Sequence, residues 1–149
     1  MSIQANEMIC RQFIDELVNR QKMDSIDHWL ARGFVEHEAL PPGTPVGREG
    51  VRHFFAMLRE AFPDLQVTVD DTVAASEKVV LRMTWRGTQQ GAFLGVAPTG
   101  RAVAFGVIDI FRVANGQIAE HWGQTDGLGL MQQLGAIPGP GQPSEAPAG

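Results

Sequence analysis

Three side chains in this sequence stand where proton chemistry could be done. Asp109 lies between Ile108 and Ile110 and shares strand parity with Val107 and Phe111, an apolar face. A carboxylate there is costly without a partner, so it is either a functional or neutral carboxyl, or one half of an Asp–Arg pair. His37 follows Phe34-Val35-Glu36 and is either a solvated strand end or a pocket group. Asp126 precedes Gly127 to Met131, and its surroundings alone read as a helix cap. Carboxyl and imidazole groups take and return protons once burial tunes them. An aspartate starts near pKa ~3.9, and lifting it by about three units to work near neutrality corresponds to roughly 4 kcal/mol of desolvation or like-charge cost.

Other chemistries find little support. The four histidines, His28, His37, His53 and His121, show no HExxH spacing, and the single cysteine has no partner, so no metal site is expected. Cys10 falls in a helical pattern and reads as a small buried hydrophobe. Gly91, Gly95 and Gly100 form a turn-rich stretch rather than a phosphate cradle, because no Gly-Lys-Ser/Thr follows and no helix opens there. Twelve basic residues against 17 acidic ones leave a net charge of −5, with Arg and Lys scattered. Such a surface argues against nucleic acid and anionic membranes and for a small-molecule ligand. No apolar run approaches the ~20 residues of a bilayer span, and the first residues lack a basic-then-apolar signal, so a cytoplasmic location is the expectation.

The elements that must position these groups follow from periodicity. Ile9, Phe13 and Leu17, thickened by Cys10, Ile14 and Val18, predict a first helix. A second, short helix starts near Asp24, carries Ile26, Trp29 and Leu30 inward and ends at Gly33. Phe34 to His37 reads as a short strand, and Pro41, Pro42, Gly43 and Pro45 force a loop. A third helix runs from about Glu49 on Val51, Phe54, Phe55, Leu58 and Phe62, and Pro63 stops it. The period then changes to two. Leu65, Val67 and Val69 alternate with polar residues, as do Val79, Leu81, Met83 and Trp85, then Val103, Phe105, Val107, Asp109 and Phe111. Asn115-Gly116 is the strongest hairpin signal, and a last strand runs from Gln117 to about Gln124. Leu128 to Leu134 coils back over one end.

Helices early and strands late predict one α+β domain over residues 1–137, with a curved antiparallel sheet and three N-terminal helices closing a cone-shaped pocket. The Pro/Gly-rich tail, 138–149, has too little apolar surface to order. In a regular ladder from the Asn115-Gly116 turn, Val113 faces Ile118 and Asp109 faces Trp122, so Trp122 points inward and His121 outward. Asp126 then falls opposite Phe105, and the two aspartates lie about 13 Å apart along the sheet unless a bulge near Gly123 draws them together. Most of the aromatic residues pack as core. The expected pocket walls are Trp85, Trp122, Phe105 and Met83, with Phe54, Leu58, Phe93 and Phe13 from the helices and the crossing.

Several motifs coincide in order and spacing: Phe62-Pro63-Asp64-Leu65; Gly87-Thr88 with Gly91-Ala92-Phe93-Leu94-Gly95 and Pro98-Thr99-Gly100-Arg101; and Asn115-Gly116-Gln117-Ile118 through Glu120-His121-Trp122 to Asp126, closed by Gln133-Leu134-Gly135. Together they resemble the SnoaL-like polyketide and ester cyclases of the NTF2-like superfamily, over roughly residues 6 to 136. Gln89 stands where related sequences often carry His, and Asp109 where polyketide cyclases carry a pocket histidine. The resemblance implies a cofactor-free reaction, a homodimer and a general acid/base at Asp126. A more distant likeness to ketosteroid isomerases places His37 at their base position and Asp109 at their neutral carboxylic acid donor. Their tyrosine donor matches Phe13 here, and the chain contains no tyrosine. The expectation is therefore an acid-base cyclase or isomerase for a hydrophobic carbonyl-bearing molecule such as a polyketide, using Asp126, His37 and Asp109. The alternatives are an epoxide hydrolase or epoxide-opening cyclase, and a non-catalytic carrier of apolar ligands. Arg82, Thr84 and Arg86 mark an open sheet face on which a second copy could pair.

Overall fold

The computed structural model describes residues 2–141, so the expected disordered tail lies outside the described residues from 142 onward. The elements run α1 (Ile3–Ile14), a π-helical turn (Asp15–Asn19), α2 (Ser25–Trp29), β1 (Leu30–Glu36), α3 (Gly47–Ala61), β2 (Gln66–Ala75), β3 (Lys78–Thr88), β4 (Ala102–Ala114), β5 (Gln117–Thr125) and α4 (Gly127–Gln133). One five-stranded sheet has the order β1-β5-β4-β3-β2. The fold is α+β, with the helices laid on one face of a curved open sheet.

The helices bury the stripes their periods foretell. Cys10, Phe13, Ile14, Leu17 and Val18 are buried from the first helical stretch, and Val51, Leu58 and Ala61 from α3. Burying a Leu or Phe side chain contributes about 1.5–3 kcal/mol, so these stripes fix the layer. The expected second helix is shorter than its pattern. It ends at Trp29, and Leu30 through Gly33 already belong to β1, which runs parallel to β5 through Leu30↔Ile118 and Glu36↔His121. A five-residue helix is barely past its costly nucleus, so sheet pairing wins those residues. The other strand pairs are antiparallel.

Both hairpins turn where expected. Ser76 adopts φ 56° in one, and Asn115 and Gly116 adopt φ 52° and 77° in the other. The crossing between β3 and β4 is knitted by the fully buried Gln89. Its amide donates to the Val96 carbonyl at 3.0 Å and accepts from the Thr99 N–H at 3.0 Å and the Thr99 hydroxyl at 2.7 Å.

The β3–β4 ladder is continuous from Lys78↔Arg112 to Thr88↔Ala102. The β4–β5 ladder is not. It starts as expected with Ala114↔Gln117 and Val113↔Ile118, and then Arg112 pairs with Glu120, leaving Ala119 out. This bulge inverts the facing of everything beyond it, because side chains alternate with a period of two. Asp109 faces Gly123, Ile110 faces Trp122 and Phe111 faces His121.

Candidate active site

The sheet's concave face and the helices line a cavity. Phe13 and Ile14 from α1, Val51, Phe54, Phe55 and Leu58 from α3, and Trp85, Phe93, Phe105, Val107 and Phe111 from the sheet side make its walls apolar. Trp85 lies between the rings of Phe55 and Phe105, at 6.0 and 6.2 Å. At one end four charged groups meet: Glu36 at the end of β1, Glu38 just after it, Asp109 on β4 and His121 on β5.

His121 organises that end. Its Nε2 lies 2.8 Å from Asp109 Oδ1 and its Nδ1 lies 2.6 Å from Glu36 Oε1, with Glu38 Oε2 at 4.0 Å. Burial alone would disfavour its charge, but the hydrogen bonds to Asp109 and Glu36 and their negative charges outweigh that and push its pKa up to about 10. It is an imidazolium at neutral pH. Glu38 is shifted the other way for a carboxyl, upward, first by burial and then by the charge of Asp109. Gly123 makes the cluster possible. A Cβ there would lie 2.7 Å from Asp109 Oδ1, 2.7 Å from Glu38 Oε2 and 2.9 Å from His121 Cε1. The donor atoms of Glu36, Glu38 and His121 lie within 4.8 Å of one another, the spacing of a cation site. Both imidazole nitrogens already hold carboxylates, however, so a cation would have to displace a proton and a hydrogen bond. The set reads as an ion-paired imidazolium.

Several expected site residues are elsewhere. His121 points into the cavity, not outward, and Trp122 is the one that points out, because of the bulge at Ala119. His37 is on the outer face as well. Its ring stacks on Trp122 at 4.6 Å and its Nε2 lies 3.1 Å from Glu120 Oε1. The extended backbone sends Phe34, Glu36 and Glu38 inward and His37 between them outward. Asp126 is exposed and outside the cavity lining. It caps α4, accepting from the Gly129 N–H at 2.9 Å, as its local sequence context alone suggested. Met83 is buried in the core but does not line the cavity. Phe13, Phe54, Leu58, Trp85, Phe93, Phe105 and Asp109 do line it. The partner of Asp109 is a histidine rather than an arginine.

The residues missed from sequence are Glu36, Glu38 and His121. The first two carried a signal, sharing parity with the apolar Phe34. His121 carried none, since a one-residue bulge decided its facing.

Known proteins agree with this architecture. TsrD from Streptomyces laurentii has 33% identity and a TM-score of 0.82, covering 92% of this chain and 99% of that one. AclR from Streptomyces galilaeus, provisionally named a hydroxylase, has 28% identity and a TM-score of 0.82, covering 93% and 85%. IdmH from Streptomyces antibioticus, provisionally named a polyketide cyclase, has 31% identity and a TM-score of 0.77, covering 87% and 98%. No curated protein matches. The family profile described as SnoaL-like polyketide cyclase matches residues 8–134. With that match spanning the helices, the sheet and the charged end of the cavity, the chain belongs to the SnoaL-like polyketide cyclase family, on the NTF2-like fold.

Proposed function

We propose that this protein is a cofactor-independent cyclase or isomerase that moves protons on a hydrophobic, carbonyl-bearing small molecule such as a polyketide. The observation that carries the reading is an apolar cavity with a single charged end, where three carboxyl groups surround a buried imidazolium. Apolar walls suit fused or folded carbon skeletons, and a few polar groups at one end fix orientation. In a ring-closing aldol step a C–H bond beside one carbonyl breaks and the enolate carbon bonds to a second carbonyl of the same molecule. The new alkoxide takes up the proton, and no electrons are gained or lost. A carboxylate can take that proton, and the fixed positive charge of His121 offsets the negative charge of the enolate in a water-poor site.

The test uses 1-indanone in D2O, followed by NMR. Exchange of its α-protons faster than in buffer is the expected result. No exchange, but ¹⁸O incorporated from labelled water into the diol of styrene oxide, would favour epoxide opening. A tightly held and unchanged ligand in native mass spectrometry, with neither reaction, would leave a carrier.

A further inference from the structure

Building on that reading, we propose that Glu38 is the catalytic residue that takes and returns the proton, while His121 is a fixed cation that exchanges none.

The argument is one of occupied hydrogen-bonding capacity. An imidazolium has two N–H groups, and those of His121 are held by Asp109 at 2.8 Å and Glu36 at 2.6 Å. Nothing on the ring remains to reach a ligand. Glu36 is bound twice, because the same Oε1 also accepts the Glu38 backbone N–H at 2.9 Å. Asp109 is held on the sheet by its bond to His121. Glu38 lines the cavity as they do, but unlike both it makes no hydrogen bond to the imidazolium, its Oε2 standing 4.0 Å from Nδ1.

The geometry also places a like charge beside it. Asp109 Oδ1 and Glu38 Oε2 each lie 2.7 Å from the point where a Gly123 Cβ would sit, so the two oxygens are at most twice that distance apart. When two carboxyls are this close, the proton goes to the one with less counter-charge, and Asp109 already has the imidazolium. The groups facing Glu38 are Asp109 from β4, His121 and Thr125 from β5, and Glu36 from β1. Burial and the charges of Asp109 and Glu36 raise its pKa, against the opposing pull of His121 and the Thr125 hydroxyl. A carboxyl raised in this way is matched to proton transfer closer to neutrality.

The step balances. Glu38 carboxylate removes the α-proton, the C–H pair enters the enolate, and an O–H bond forms on Glu38. After the enolate carbon bonds to the second carbonyl carbon, the alkoxide oxygen takes that proton and Glu38 is again a carboxylate.

The experiment is the 1-indanone exchange assay on the whole protein, with Glu38→Gln and Glu38→Asp. Glu38→Gln is expected to lose on the order of 10² to 10⁴ of the rate, and Glu38→Asp to recover part of it. The wild-type rate should rise with pH through a midpoint above the ordinary carboxylate range, and Glu38→Gln should have no such limb. Full exchange by Glu38→Gln would overturn the role of Glu38 and leave the acid-base reading standing. No exchange by the wild type would overturn that reading, and the role of Glu38 with it. If Glu38→Gln does not fold, a ¹³C titration of the Glu38 carboxyl in the wild type decides. A raised midpoint that moves when 1-indanone binds supports the proposal, and an ordinary midpoint unaffected by it overturns it.

Discussion

The two antiparallel ladders that share β4 behave differently. Against β3, β4 pairs without interruption, and Val79, Leu81, Met83 and Trp85 are buried while Arg82 and Arg86 are exposed, as strict alternation demands. Against β5, the same strand meets a bulge at Ala119, and Ile118 and His121 are both buried although they are three residues apart. The regular ladder builds an apolar wall, and the irregular one re-aims a charged side chain into it. Bulges beside active sites commonly do this. One extra residue thus moves a histidine from the solvent face to the end of a cavity.

The contrast can be tested hardest at His121. Replacing it with Ala leaves the buried Asp109 and the half-buried Glu36 without their cation, a change expected to cost about 3–5 kcal/mol in urea unfolding. Trp122→Ala, losing an outer-face stack on His37, is expected to cost only about 1 kcal/mol. The opposite ranking would restore the uninterrupted ladder.

A pH series sharpens the same point. His121 is raised from 6.5 to about 10 on folding, so its stabilising contribution is complete below pH 6.5 and is lost as pH climbs toward 10. The urea midpoint should fall across that window in the wild type and stay flatter in His121→Phe. Equal slopes would mean that the imidazolium is not the group responsible.

Gly123→Ala probes the space opposite Asp109. Its Cβ would crowd two carboxylate oxygens at 2.7 Å, and an overpacked site of this kind costs roughly 1–3 kcal/mol. A Tm equal to that of the wild type would show that the cluster yields easily.

The smallest effect is expected at Asp126. Removing this cap with Asp126→Ala should lower stability by about 1 kcal/mol and leave α-proton exchange unchanged. A large loss of exchange with little change in Tm would return Asp126 to the chemistry.

Much of the architecture was legible because it rests on local rules. The stripes of α1 and α3, the parity of β3 and β4 and the Asn115-Gly116 turn are each written in a few neighbouring residues. So was the place of Asp109 on an apolar face, and with it the need for a partner. The wall residues Phe13, Phe54, Leu58, Trp85 and Phe105 followed from the same periods. His37 and Trp122 were misplaced for a shared reason. Each depends on a strand whose pairing is irregular: His37 follows β1, which joins β5 with a shift between Leu30 and Val35, and Trp122 lies on β5, which skips Ala119 against β4.

By itself the sequence determined the class of fold, the apolar faces and the carboxyl that had to find a partner, since periodicity and burial cost act over a few residues. Only the tertiary structure decided which partner it found. Glu36 comes from the first strand, Glu38 from just beyond its end and His121 from the last strand, and whether they meet Asp109 depends on inter-strand register, which one unpaired residue can invert.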